Sequence, residues 1–270
     1  KDKYGDDIFA EYITSFIEKN QNDPFFVYFP MTLTHDPKEP TPDSEEYKFF
    51  EPPSNKTLGG KTFDELENWD DDPKFYKDMV EYHDKVIGKI ISKLDELRLR
   101  EDTIIIYAGD NGTTRGIVSK IGDKEIIGGK GLTSDTGTHV PLICNWPETI
   151  PSNTTINDLI DASDFLPTML DISKIKDEGY MDGRSFYPQI IGDKGNPRDW
   201  IYFYFDPNSP RLNRPVMEFV REKKWKLYSD NRMFNVLDDP DEKNEISHNQ
   251  DQETIKIFNK LKKILETIKN

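Results

Sequence analysis

Apolar and polar positions follow two different periods along this chain. Ile8, Phe9, Tyr12, Ile13, Phe16 and Ile17 recur at three- and four-residue steps, which predicts an amphipathic helix over residues 6–20. Asn22-Asp23-Pro24 ends it, and the continuous apolar run 25–29 reads as a strand buried on both faces. Residues 30–73 carry many prolines and charges and read as a long irregular excursion, a length usually kept for functional loops or disorder. A second helix fits 73–97, with Phe75, Met79, Val80, Val86, Ile87, Ile90, Ile91 and Leu94 on its apolar side. The β-branched run 103–108 is the clearest strand, and it stops at the turn sequence Gly109-Asp110-Asn111-Gly112. Another strand fits 140–145, and a helix follows over 163–173 with Asp164 as its candidate cap.

Helices alternating with short buried strands predict an α/β fold with a mostly parallel sheet flanked by helices. Beyond Pro197 the pattern changes. Runs at 200–205, 217–221, 225–228 and 233–237 read as short antiparallel strands, and a Lys-rich amphipathic helix closes the chain at 252–268. The expected division is therefore 1–196, an α/β part, and 197–270, a small antiparallel sheet plus helix.

Composition narrows the function classes. The chain has 270 residues and a formal net charge of −15, which excludes a nucleic-acid surface, since that needs clustered Lys and Arg. Any anionic ligand must then meet a local positive site. No apolar run approaches the ~20 residues of a membrane span. The single cysteine, Cys144, excludes an intramolecular disulfide and a cysteine zinc cluster, and its apolar neighbours make it a core residue. The sequence opens at Lys1 without an initiator Met, signal peptide or targeting motif, so the expectation is either that a leading segment was removed or that the sequence begins inside a longer protein, and the compartment is left open.

Three segments can carry chemistry. Asp110 and Asn111 follow the strand 103–108, at the carboxyl end where ligands of open α/β sheets gather, and offer two hard oxygen donors suited to Ca2+ or Mg2+. The same tripeptide Asp-Asn-Gly is also a common turn. Lys130, between Gly129 and Gly131, can extend an ammonium toward an oxyanion, or simply sit in a surface loop. The loop is not a phosphate-binding Walker loop, because Lys124 stands where its first glycine belongs. His35, in Thr34-His35-Asp36-Pro37, can donate to an anion or shuttle a proton, or remain a solvated loop histidine. His83 and His248 lack metal-ligand spacing, and His139 is left open. Sequons occur at Asn55, Asn111 and Asn153, the second overlapping the candidate metal turn.

The order of these segments resembles the formylglycine-dependent sulfatases of the alkaline phosphatase superfamily. Pro24 to Pro30 followed by Thr34-His35-Asp36-Pro37 is similar to the family's PFFLYLP and PHTP segments. Asp102-Thr103-Ile104 through Asp110-Asn111-Gly112 resembles DNTIVIFTSDNG, and Gly129-Lys130-Gly131 through Trp146-Pro147 resembles GKGTTYEGGVRVPLIVRWPG. Asp164-Phe165-Leu166-Pro167-Thr168, Asp182-Gly183-Arg184-Ser185 and Asn235-Val236-Leu237-Asp238-Asp239-Pro240 continue the match.

The resemblance implies an alkaline phosphatase-like fold whose N-terminal part lies outside this chain, and hydrolysis of an aryl or carbohydrate sulfate ester. It further implies that Asp110 and Asn111 ligate Ca2+, with Mg2+ less suited, that Lys130 holds a sulfate oxygen, and that His35 binds sulfate or protonates the leaving oxygen. The partners it implies are a sulfated small molecule or glycan and the N-terminal half of the same protein; the location it implies is periplasmic or extracellular. Two departures stand out. Cys144 is followed by Asn145-Trp146-Pro147, so the Cys-x-Pro-x-Arg motif that becomes formylglycine is absent and is expected only upstream; the isolated chain should not turn over sulfate esters. His139 stands where the family often has Arg. A phosphoric or phosphonic ester hydrolase of the same superfamily and a non-catalytic sulfated-glycan binder are the competing readings.

Overall fold

The computed structural model describes residues 4–49, 73–176, 179–207 and 215–268. The chain forms two compact units, Lys1–Ile104 and Ile105–Asn270. The expected boundary at 196/197 lies inside the second.

In the first unit, helix α1 (Gly5–Lys19) packs along helix α2 (Phe75–Glu96). Spacing found part of the covered stripe: Met79 and Val86 form a core with Ala10, Leu33 and Tyr82, and Ile13 and Ile17 are buried, whereas Ile8, Phe9 and Tyr12, placed by spacing on the apolar side of α1, are exposed. Burying these side chains is worth roughly 1.5–3 kcal/mol for each large apolar one. Polar ties fix the register. Tyr82 donates to Asp7 at 2.7 Å, and Ser44 donates to Asp78 at 2.8 Å. Val80, placed by periodicity on the apolar side, is 44% exposed, because its position falls at the margin of the covered stripe.

Residues 25–29 differ from expectation. They are extended but have no ladder partner among the described residues, and burial alternates: Phe25, Val27 and Phe29 are half-buried, whereas Phe26 and Tyr28 are exposed. Only one face of the run is covered, by α1, as the Phe16–Phe25 and Phe9–Phe29 ring contacts show. The expected excursion 30–73 lies outside the described residues from 50 to 72.

The second unit opens with strand β1 (Ile105–Ala108), a hairpin of β2 (Val118–Ile121) and β3 (Lys124–Ile127), a single helical turn α3 (Asp135–Thr138), and β4 (Leu142–Asn145). β1 and β4 pair antiparallel, Ile105 opposite Asn145 and Ala108 opposite Leu142. Helix α4 (Phe165–Ile172) and the short α5 (Tyr187–Ile190) follow. Asp164 does not cap α4 with its side chain; a preceding 3-10 turn, Ala162–Asp164, makes Asp161 the cap residue. Asp164 instead accepts from the backbone of Asp161 at 2.8 Å and of Arg184 at 2.7 Å, and pairs with Arg198.

A four-stranded antiparallel sheet completes the unit, ordered β5 (Ile201–Phe205), β6 (Met217–Arg221), β7 (Trp225–Tyr228), β8 (Met233–Asn235). The closing helix α6 (Gln252–Ile268) covers one face through Leu261 and Leu265 against Val220, Trp225 and Leu227. The other face carries Phe219, Tyr228, Phe234 and Val236. The small C-terminal antiparallel sheet plus helix is thus as expected. Every ladder among the described residues is antiparallel, however, so the parallel pairing expected from helix–strand alternation is not formed between them. The physical reason is the connection: β1 and β4 are joined by a hairpin and loops, with no long crossover helix to return the chain in the same direction.

Candidate functional site

The turn carrying Asp110 and Asn111 is built onto the end of β1. Gly109 donates to the Pro141 carbonyl at 3.0 Å, extending the β1–β4 ladder by one step. There the chain leaves the sheet. Gly112 donates to the Gly137 carbonyl at 3.0 Å, and a Cβ on Gly112 would collide with the Thr136 carbonyl. Glycine is demanded by this close approach. Both acidic and amide side chains are exposed; Asp110 accepts from the Asn111 backbone at 2.9 Å and from the Asn111 side-chain amide.

The lysine loop is locked to that turn. Gly128 donates to Ile117 at 2.9 Å and closes the base of the β2–β3 hairpin. Lys130 then donates to the Thr113 carbonyl at 2.9 Å, and Leu132 to Gly129 at 2.8 Å. A Cβ at Gly129 would meet Thr136, so this glycine too is required by backbone packing. Two hydrogen bonds, Gly112 to Gly137 and Lys130 to Thr113, therefore hold the segments of Asp110, Asn111 and Lys130 in one loop cluster. Lys130 is half-buried.

His35 belongs to the first unit. It is exposed on a turn in which its backbone donates to Thr32 at 2.9 Å and its Nδ1 lies 2.7 Å from the Asp36 carbonyl. His83 is tied to the Leu33 carbonyl at 3.1 Å, and His248 stacks on Phe258 at 4.3 Å between ring centres. Cys144 is half-buried on β4, with burial pushing its thiol up to about 11, so it is a protonated packing residue at neutral pH.

Sequence reasoning passed over a group of charges behind the lysine loop. Asp135 pairs with Arg221 at 2.6 Å and lies 3.6 Å from His139 Nδ1. Burial acts to raise the Asp135 carboxyl, but the His139 hydrogen bond and the Arg221 charge outweigh it and hold it below the usual range. His139 is correspondingly raised, first by its hydrogen bond to Asp135. Next to this pair, Lys226 is completely buried. Its ammonium donates to Glu242 at 2.5 Å and to the Thr133 carbonyl, and lies 3.8 Å from the Phe219 ring centre. Desolvation dominates and lowers it to about 8 despite Glu242. The alternation of Trp225-Lys226-Leu227-Tyr228 carried no signal of this, since lysine is almost never wholly buried unless paired.

The donor set fits a hard cation in part. Asp110 and Asn111 supply two oxygens where Ca2+ takes six to eight, and the described residues contain no group of three or more His, Cys, Asp or Glu able to hold a metal. No helix among the described residues is long and apolar enough to cross a membrane.

Comparison with known proteins places this arrangement. Residues 2–175 match the family described as Sulfatase, and residues 129–270 match N-sulphoglucosamine sulphohydrolase, C-terminal. An ulvan-active sulfatase of Formosa agariphila is 26% identical over 227 residues, 82% of this chain and 40% of that protein. Human arylsulfatase A is 26% identical over 212 residues, 78% of this chain and 36% of that protein. The chain thus spans 40% or less of the length of these curated relatives. The crystal structure of Ps i-CgsB superposes with a TM-score of 0.75 at 22% identity, covering 99% of this chain and 55% of that one. A structure described as BT4656 in complex with its substrate D-glucosamine-2-N,6-O-disulfate superposes with a TM-score of 0.69 at 18% identity, covering 99% of this chain and 70% of that one. These solved structures share the fold, an alkaline phosphatase-like α/β architecture with a small antiparallel C-terminal sheet and helix. With nearly two thirds of its length matched by the family as a whole, the chain belongs to the sulfatases.

Proposed function

We propose that this chain is part of a sulfuric ester hydrolase acting on an aryl or carbohydrate sulfate, and that its loop cluster holds the sulfate group. The observation that carries the reading is the hydrogen-bonded union of the Asp110–Asn111 turn with the Lys130 loop, in a chain of sulfatase ancestry. Asp110 and Asn111 would provide two oxygens to Ca2+, with Mg2+ less suited because it demands a compact octahedral shell. Bound there, the cation would supply Lewis-acid stabilisation of charge on the sulfate oxygens. Lys130 contributes an ammonium to one of those oxygens, extended from a backbone that its N–H holds on the Thr113 carbonyl. His35 would bind sulfate or protonate the leaving oxygen. The nucleophile is assigned to no residue of this chain, since Cys144 lacks the flanking motif and its thiol is held protonated. A carbohydrate substrate is supported by the relatives named for ulvan and by the neighbour solved with a disulfated glucosamine.

Calorimetry on the 270-residue chain with CaCl2 and inorganic sulfate tests this. Sulfate binding should require calcium, weaken at least about tenfold in Lys130→Ala, as for loss of one charge-assisted hydrogen bond, and be lost in Asp110→Ala. Binding that ignores calcium and is unchanged in Lys130→Ala would overturn the hydrolase site in favour of a non-catalytic glycan binder. Tighter binding of phosphate than of sulfate would favour a phosphoric ester hydrolase.

A further inference from the structure

Three residues past Lys130, the loop is gripped from behind by buried polar groups that the proposed chemistry does not use. Thr133, 6% exposed, is held at two atoms: its carbonyl accepts from Lys226, and its hydroxyl lies 2.8 Å from the Tyr228 hydroxyl. Glu242 joins the two donors, accepting from Lys226 at 2.5 Å and from Tyr228 at 2.6 Å. The next residues are fixed as well, by the Asp135 N–H on the Pro240 carbonyl at 3.2 Å and the Asp135–Arg221 ion pair. Between Thr133 and Lys130 the backbone is short and already turned by the Leu132–Gly129 hydrogen bond, so displacing Thr133 must displace the lysine.

A buried charge cluster adds little stability over an apolar one of equal volume, but it has only one low-energy geometry. From this we infer that Lys226, Tyr228 and Glu242 are positioning residues, which clamp Thr133 and so fix the backbone that presents the Lys130 ammonium to a sulfate oxygen. The inference rests on the sulfate reading for its ligand, and on the hydrogen bonds alone for its mechanics.

The test uses the 270-residue chain with CaCl2 and inorganic sulfate, read by amide NMR and hydrogen exchange. Tyr228→Phe and Thr133→Val each delete one hydroxyl from the clamp while keeping the surrounding bulk. Each should speed exchange at the Lys130 and Leu132 amides about tenfold or more, the Tyr228 variant losing the hydrogen bonds with both Thr133 and Glu242 and the Thr133 variant the one with Tyr228, and weaken sulfate binding by a similar factor. Thr133→Ser restores the hydroxyl and should restore both. Exchange in β6 and β7 should not change. The clamp is refuted if both variants leave the two loop amides as protected as before, or if protection falls equally across β6 and β7. Lys130→Ala separates the two ideas: it should weaken sulfate binding at least about tenfold without altering exchange. Unchanged sulfate affinity in Lys130→Ala would remove the ligand assignment, while the exchange data would still decide the clamp.

Discussion

Replacing Lys226 by methionine tests whether the charge at the centre of the second unit is held by its partners. The side chain is wholly buried, and the partner carboxylate of Glu242 is only 9% exposed. In place, the ammonium is not at ease: its fall from 10.5 to about 8 corresponds to roughly 3 kcal/mol disfavouring the charged form. Lys226→Met removes that burden but strands Glu242, whose remaining bond is the 2.6 Å contact from Tyr228. Breaking one side of a buried pair typically costs about 3–5 kcal/mol, so a loss of about 3 kcal/mol is expected. Glu242→Gln strands the ammonium instead and should cost about the same. The double variant removes both charges, keeps an oxygen for Tyr228, and should fall within about 1 kcal/mol of the parent. Guanidinium denaturation provides the assay, with the fluorescence of buried Trp225 on the same strand as a reporter. The cycle should give a coupling of about 5 kcal/mol, the two single losses less that of the double variant. Additive losses, with the double variant about 6 kcal/mol below the parent, would refute the account of a mutually dependent pair.

Three further outcomes are expected. Gly129→Ala forces a methyl into Thr136 and should cost about 1–3 kcal/mol and weaken calcium-dependent sulfate binding, as thermal melts and calorimetry would show. His139, raised by its hydrogen bond to Asp135, should titrate above 6.5 by NMR and return toward that value in Asp135→Asn. Because the folded value is raised, its stabilising contribution is complete below 6.5 and disappears as pH rises through the folded value; His139→Gln should therefore lose stability relative to the parent at pH 5.5 and match it at high pH. The isolated 270-residue chain should not hydrolyse 4-methylumbelliferyl sulfate, and measurable release of the fluorophore would contradict the assignment of the nucleophile outside it.

Long amphipathic periods were the most legible part of the sequence. The closing helix has the bounds its spacing predicts, and α2 differs from its expected range by a residue or two at each end. The β2–β3 hairpin was passed over although Gly122-Asp123 lies between two β-branched runs, because a ribbon exposed on both faces has no alternating burial to announce it. Asp110, Asn111 and Lys130 were legible as residue types, and the hydrogen bonds that join their loops could be inferred only from a fold. Lys226 illustrates the limit. In Trp225-Lys226-Leu227-Tyr228 a lysine at an alternate position reads as solvent-facing, yet β7 is buried throughout and Thr133 and Glu242 receive the charge.

The aromatic stretch from Phe25 to Phe29 has a practical consequence for anyone handling this polypeptide. Phe26 is 66% exposed and Tyr28 79%, and residues 25–28 make no backbone hydrogen bond to other described residues. A ribbon with free amides and carbonyls, sticky rings and no charge across five positions is a template for intermolecular cross-β stacking. Self-association of the chain through this stretch is therefore expected in spite of its net charge of −15, which by itself favours solubility.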